Sequence, residues 1–369
     1  MKLRPEGLTK MEIVYIGPMR LPIPSEKGAV EDIIWQLAKR LSAKESVQIF
    51  NPLRPKHNKI QSFLCTSSLV PWSWGRAPVI HSHNPYASLA LLSPTADVKN
   101  HLVTLHYPPW ISDRAVENKI FMMVLKTLDL FGVKLTVPNI YIRDWLETKG
   151  IESVYLPNGV DTDTFNPSHR DETFRSRLLG NRADLLLVSL GRIDDTKNQL
   201  MLLRSFNDVL KANPRLKLVL VGPKSGTFQE VGTSSYASRV QSFIQEKGLA
   251  GNVEWLGEVG MKRDVARILA SCDIYVHPSK VEAAPLAILE AMASGLPIVA
   301  FDLPWYKGYL TNGTNATLCS YSTDALTECL SSMAASGVDE AKRTRQHELA
   351  KNFSWDVLIA DYKKQYEAK

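Results

Sequence analysis

The stretch His277-Pro278-Ser279-Lys280-Val281-Glu282-Ala283-Ala284-Pro285-Leu286-Ala287-Ile288-Leu289-Glu290-Ala291-Met292-Ala293-Ser294-Gly295-Leu296-Pro297-Ile298-Val299-Ala300 decides how this chain folds. It follows a short apolar run, Ile274 to Val276, and ends in another, Leu296 to Phe301. Each reads as a buried strand. Between them the apolar positions Leu286, Ile288, Leu289, Met292 and Ala293 carry helical spacing. Pro285 suits the first helical position, where a missing N–H is harmless. Gly295 suits the stop, because it takes a left-handed backbone at low cost. Strand, loop, helix and strand make a βαβ unit of a parallel sheet.

Two carboxylates punctuate that unit: Glu282 in the loop before the helix, and Glu290 about one and a half turns into it. A helix N-terminus at the carboxyl edge of a parallel sheet attracts anions. A carboxylate on either side suits hydroxyl groups. Two solvated glutamates are the ordinary alternative for such a spacing taken alone.

The line PSKVEAAPLAILEAMASGLPIVA resembles the Glu-x7-Glu region of the retaining family 4 glycosyltransferases (glycosyl transferases group 1), with Ala283 where that family usually has Gly. The likeness recurs along the chain. Gly191-Arg192 to Lys197 resembles the family's G-R-x-x-x-x-K-G, with Asn198 in place of its last Gly. Residues 154–167, VYLPNGVDTDTFNP, resemble its hinge text. His81-Ser82-His83 resembles its His-x-His, and the run ending in His106 resembles its T-x-H strand end. Lys27-Gly28-Ala29-Val30-Glu31 keeps one certain glycine of its Gly-Gly-x-E turn. Leu303 to Gly308 departs from its G-G-x-x-E, near the donor sugar.

The resemblance implies an α/β chain of the GT-B fold, two doubly wound Rossmann-like domains facing across a cleft. An acceptor-side domain is expected over 1–160 and a nucleotide-sugar domain over 161–350. A terminal helix, 351–369, is expected to cross back to the first domain. The implied reaction is retaining transfer of a sugar from a UDP- or GDP-sugar to an acceptor hydroxyl. Alternatives are a GT-B nucleotide-sugar epimerase and a non-catalytic sugar-nucleotide-binding protein. The implied catalytic residues are His106, Arg192, Lys197 and Glu282. Donor binding falls to Gly28, Arg192, Lys197, Gly257, Ala284, Pro285, Leu286, Ala287 and Glu290. Arg192, Lys197 and the helix mouth grip the diphosphate. Glu290 takes the ribose and Glu282 the sugar, while the turn at Gly257 offers backbone groups to the base.

No cofactor or metal is expected. Asp161-Thr162-Asp163 imitates an Asp-x-Asp metal motif, but it lies inside the hinge text. No G-x-G-x-x-G follows the first strand, which argues against a nicotinamide dehydrogenase.

Composition bounds the rest. The 369 residues allow two domains, with 44% hydrophobic and 22% charged residues as in globular proteins. No apolar run nears the ~18 residues of a membrane span, and the N-terminus lacks a signal-peptide core. Cys65, Cys272, Cys319 and Cys329 form no framework and suit a reducing compartment, with Cys272 in the core. The expected location is therefore cytoplasmic. Residues 1–150 carry 19 Lys and Arg against 12 Asp and Glu, a net +7, and the remainder a net −1. Peripheral association of the basic N-terminal domain with an anionic membrane surface is one reading of that asymmetry. Pro71-Trp72-Ser73-Trp74-Gly75 is a possible exposed apolar loop. Nucleic acid is not an expected partner, since no basic stretch is interleaved with aromatics.

Overall fold

The structure of the protein is a computed structural model. It describes residues 2–3, 11–25, 28–51, 79–92, 100–107, 115–180, 184–223 and 233–367. Lys27, Cys65 and residues 71–75, expected as an exposed apolar loop, lie outside them. The chain divides into two compact units, Met1–Gly159 with Trp355–Lys369, and Val160–Ser354.

The first unit has strands β1 (Lys2–Leu3), β2 (Glu12–Ile16), β3 (Ser46–Phe50), β4 (Val79–Ser82), β5 (His101–Thr104), β6 (Lys134–Val137) and β7 (Val154–Tyr155). Their order is β1-β3-β2-β4-β5-β6-β7, and every pairing is parallel except β1 with β3. The helices are α1 (Ala29–Leu41), α2 (Pro85–Leu89), α3 (Ala115–Leu130) and α4 (Ile140–Glu147). Asn84 and Asn139 cap α2 and α4, each side chain accepting from two backbone N–H groups, which supplies partners those groups lack within the helix. Gly28 precedes α1 with a φ of 92° and no side-chain cap, and Glu31 and Asp32 supply negative charge in the first turn.

The second unit has strands β8 (Leu185–Leu190), β9 (Leu216–Val221), β10 (Val253–Gly257), β11 (Ile274–His277), β12 (Ile298–Phe301) and β13 (Thr317–Cys319). They form an all-parallel sheet in the order β10-β9-β8-β11-β12-β13. Its helices are α5 (Glu172–Leu179), α6 (Gln199–Ala212), α7 (Thr233–Glu246), α8 (Lys262–Ser271), α9 (Leu286–Ala293), α10 (Thr323–Ser336) and α11 (Glu340–Ala350). The period of two in its strands sorts two cores. Leu186, Val188, Tyr275, Ile298 and Ala300 pack with Ile288, Leu289 and Met292 of α9. Leu187, Ile274, Val276, Val299 and Phe301 pack with Leu203 and Phe206 of α6. Burial on both faces is why these strands read as unbroken apolar runs. Cys272 is fully buried, and burial pushes its thiol up.

Helix α7 opens on the polar residues Thr233 to Ser235, which carry no apolar signal. Helix α9 begins at Leu286. Pro285 precedes it with a ψ of 66°, outside the helical region.

The passage between units falls at 159–160 and 354–355, where the expected boundaries were 160–161 and 350–351. Val160 donates its N–H to the Phe353 carbonyl at 2.8 Å and bridges Ser354, so residues 351–353 stay with the second unit. Gly159 lies under the Trp355 indole, where any Cβ would collide with the ring. The final helix, α12 (Trp355–Glu367), packs on the first unit. Its Tyr366 hydroxyl meets Tyr15 at 3.1 Å.

Candidate functional site

In the second unit's sheet the strand order reverses once along the chain. In the second unit that point lies between β8 and β11. Loops leaving the carboxyl ends of two such strands diverge, and ligands of open α/β sheets bind in the crevice they leave. The loop after β8 is Gly191 to Asn198, and the loop after β11 is Pro278 to Pro285. They are stitched together. Lys280 donates its N–H to the Thr196 carbonyl at 2.8 Å, Ser279 Oγ donates to the same carbonyl at 3.3 Å, and Lys280 Nζ pairs with Asp195 at 2.5 Å.

That stitching brings Lys197 and Glu282 into contact. Lys197 Nζ donates to Glu282 Oε1 at 2.5 Å, and His277 Nε2 meets the same oxygen at 2.9 Å. Neutral His277 then carries its hydrogen on Nε2, so Nδ1 accepts from the Tyr275 hydroxyl at 3.0 Å. Burial opposes ionisation of Glu282, but the Lys197 charge and the His277 bond outweigh it and hold the carboxyl well below the usual range. Burial lowers His277 despite its bond to Glu282, which keeps it neutral near pH 7. Glu290, on α9, lies near enough that its charge, after burial and Glu282, helps raise the Tyr275 hydroxyl. The carboxylates of Glu282 and Glu290 thus flank one tyrosine.

Arg192 is placed differently. Its guanidinium is turned to Asp194, Nη2 to Oδ2 at 3.1 Å, and is 41% exposed. Asp194 also accepts the Lys197 N–H at 3.0 Å, so one carboxylate orders the loop and steers the arginine. Asn198 sits at φ 58° as the residue before α6. That left-handed position explains a Gly-to-Asn exchange, since Asn adopts it more readily than other side chains. Gly222, after β9, meets the β8 end so closely that a Cβ would collide with the Gly191 carbonyl. Gly222 donates its N–H to the Gly257 carbonyl at 2.8 Å, so three strand ends form a floor of bare backbone. Ala284 to Ala287 form the turn into α9. Asp161 Oδ1 accepts the N–H groups of Asp163 at 3.2 Å and Thr164 at 3.3 Å, which is turn chemistry.

His106 and Gly28 lie in the first unit, and are described there by themselves. His106 follows β5 by two residues. Its Nε2 meets His83 Nδ1 at 2.7 Å, with the rings stacked at 5.0 Å. One hydrogen fits between those nitrogens, so at least one ring is neutral. Behind them His81 bonds the Tyr366 hydroxyl at 2.8 Å and Thr104 Oγ1 at 2.6 Å. Gly28 was expected to let a ligand approach. In this structure the Glu31 carboxylate covers it, and burial raises the Glu31 pKa.

Asp194, His277 and His83 gained no role from the sequence. The signals were an Asp opening a loop and histidines at strand ends beside the expected site residues.

Two outcomes follow from these contacts. Lys197→Met leaves Glu282 buried without its counter-charge, and a denaturant titration should show a loss of about 3 kcal/mol. Lys197→Met with Glu282→Gln should recover most of that loss. Burial, with nearby imidazoles second, holds His81 down to about 3. Burial holds His101 at about 4 and His106 at about 3, although water reaches the half-buried His106 ring and weakens its share. An unfolded chain protonates these rings near ~6.5. The unfolded state therefore binds more protons below that pH, and stability falls as pH drops from ~6.5 toward the folded values. At pH ~5.5 each fully buried ring costs at most about 1.4 kcal/mol. Thermal midpoints measured from pH ~7.5 to ~5 should fall, and less steeply in His81→Gln.

Comparison with known proteins gives the family and the fold. Residues 170–352 match the glycosyl transferases group 1 family. The UDP-Gal:alpha-D-GlcNAc-diphosphoundecaprenol alpha-1,3-galactosyltransferase of Escherichia coli is 24% identical over 238 residues, 61% of this chain and 58% of that protein. A phosphatidyl-myo-inositol mannosyltransferase of Mycobacterium tuberculosis is 25% identical over 261 residues, 70% of this chain and 61% of that protein. The match thus spans about three fifths of the length of these curated relatives. The sucrose-phosphate synthase of Thermosynechococcus elongatus shares the fold, with a TM-score of 0.77 at 16% identity over 97% of this chain and 98% of that one. The chain belongs to the glycosyl transferases group 1 family and has its GT-B fold.

Proposed function

We propose that this protein transfers a sugar, with retention and without a metal ion, from a nucleotide diphosphate sugar to an acceptor hydroxyl. The observation that carries this reading is the Lys197–Glu282–His277 cluster at the reversal point of the second sheet. Breaking the glycosidic bond builds negative charge on the diphosphate. Lys197, Arg192 and the N-terminal end of α9 supply positive potential beside it, an electrostatic stabilisation already in place before reaction. Lys197 reaches the diphosphate by sharing or leaving its bond to Glu282. Glu282, held ionised, then faces the sugar hydroxyls and the positive charge that gathers on the ring. Glu290 takes the ribose. The bare backbone at Gly222 and Gly257 lets the base come close. His106 places the sugar or acceptor from the first unit.

The galactosyltransferase relative supports a UDP-sugar donor. Both relatives act on lipid-linked acceptors by their names, which supports a glycolipid or cell-surface glycan precursor here, met at the cytoplasmic face of a membrane. Among the described residues no helix is long and apolar enough to cross one, so contact with lipid would be peripheral.

A thermal-shift screen across UDP- and GDP-sugars should single out one donor. With that donor, Arg192→Ala should lower kcat about 100- to 1,000-fold while the unfolding midpoint stays near wild type. Near-normal turnover in Arg192→Ala would remove the diphosphate assignment. Activity abolished by a chelator and restored by manganese would overturn the metal-free reading. Conversion of the donor to an isomer with no acceptor present would make the protein an epimerase.

A further inference from the structure

His277 is buried at the carboxyl end of β11, only 3% exposed, and both of its ring nitrogens have partners that serve either protonation state. Nε2 donates to Glu282 Oε1 at 2.9 Å whether the ring is neutral or charged. Nδ1 lies 3.0 Å from the Tyr275 hydroxyl. That hydroxyl has a second acceptor, the Leu190 carbonyl at 3.3 Å. With a neutral ring the hydroxyl donates to Nδ1. With a charged ring Nδ1–H donates to the hydroxyl oxygen, and the hydroxyl hydrogen turns to Leu190. One rotor therefore keeps both residues bonded in both states, so a proton gained here leaves neither of them unsatisfied.

The groups around His277 set when that proton arrives. Burial raises the Tyr275 and Tyr306 hydroxyls and keeps both neutral. Tyr306 turns its ring edge to the imidazole at 5.9 Å and its hydroxyl to the Ser279 carbonyl at 3.5 Å. The charges are those of Glu282 and Lys197, with Glu290 near Tyr275. Burial above all, with a smaller push from Lys197, holds His277 below the ordinary imidazole range against the pull of Glu282. Lys197 and His277 share one carboxylate oxygen, Glu282 Oε1. When the ammonium turns to a diphosphate, that oxygen loses the cation bonded to it, and a buried carboxylate without a counter-charge is costly. Removing a nearby cation and bringing in a diphosphate both favour the imidazolium.

We propose that His277 takes up a proton from solvent as Lys197 leaves Glu282 for the diphosphate, so that an imidazolium replaces the ammonium as the partner of Glu282. The inference deepens, and rests on, the sugar-nucleotide reading of this site. His277 is then a positioning residue. It keeps Glu282 ionised and aimed while Lys197 serves the leaving group, and it returns the proton to solvent when the nucleotide departs and Lys197 swings back.

The test is calorimetric titration of the full chain with UDP-glucose or GDP-mannose in buffers of different ionisation enthalpy. Neither probe carries a terminal phosphate that titrates near neutrality. Wild type should take up protons on binding. Because the bound state holds the extra proton, affinity should fall as pH rises, about threefold per unit between pH ~6 and ~7.5, with about tenfold the ceiling for one proton. His277→Gln keeps a donor to Glu282 and should bind with no uptake and with affinity independent of pH. Tyr275→Phe removes the rotor and should reduce the uptake. In an NMR titration without nucleotide, the His277 imidazole should titrate at higher pH in Lys197→Met than in wild type. Binding with no uptake, or with equal uptake in His277→Gln, overturns the proposal and leaves the sugar-nucleotide reading standing. So does an imidazole that titrates no higher in Lys197→Met. Binding of neither probe removes the sugar-nucleotide reading and the proposal with it.

Discussion

One part-buried ion pair organises the second unit's candidate site. Lys197 and Glu282 come from loops 85 residues apart, on strands that adjoin only because the sheet reverses its order between β8 and β11. Burying either charge alone is expensive, and together they are tolerable only with good geometry and further hydrogen bonds. His277 provides such a bond to Glu282, and the Thr196 carbonyl, accepting from Lys280, ties the two loops together. The pair thus fixes where two mobile-by-nature loop ends lie, and it does so at the place where a diphosphate would arrive. On the proposed reading, a lysine held in place by a buried carboxylate is a cation preorganised for the diphosphate.

The supporting residues follow from that constraint. Asp194 sets the loop that carries Lys197 and turns Arg192 beside it. Gly222 lets the β9 end come against the β8 end, which no larger residue permits. Tyr275 keeps His277 in one tautomer. In the first unit a comparable arrangement of neutral histidines lies beyond β4 and β5, with His83 fixing the hydrogen-bonding partner of His106. The imidazoles of both clusters stay neutral through burial, and both clusters stand at carboxyl ends of parallel strands.

Much of this was legible in the residues. The apolar runs read as strands at Ile274 to Val276 and Leu296 to Phe301 hold β11 and β12, because strands covered on both faces must be apolar throughout. The loop into α9 was readable from Glu282 and Pro285, and its end from Gly295. What escaped reading had no apolar pattern. Helix α11 is polar nearly all round, and its Arg343 is buried, donating to the carbonyls of Cys272 and Ala270 at 2.8 and 2.6 Å. No periodicity announces an arginine that closes a neighbouring helix end. The contact of Lys197 with Glu282 was equally hidden, since spacing along a chain does not say which loops a sheet reversal places side by side. Arg192 and Lys197 read as one cationic pair, but Asp194 and Glu282 draw them to separate partners.

The most direct measurement is calorimetric binding of a nucleoside diphosphate to the wild-type chain and to the Lys197→Met/Glu282→Gln double variant. The variant keeps a neutral, similar-sized pair, so its folding is preserved while its cation is gone. The account predicts a wild-type unfolding midpoint in the variant with affinity reduced at least tenfold, about 1.4 kcal/mol. Equal affinity in the two proteins would contradict it, because the diphosphate would then be held elsewhere.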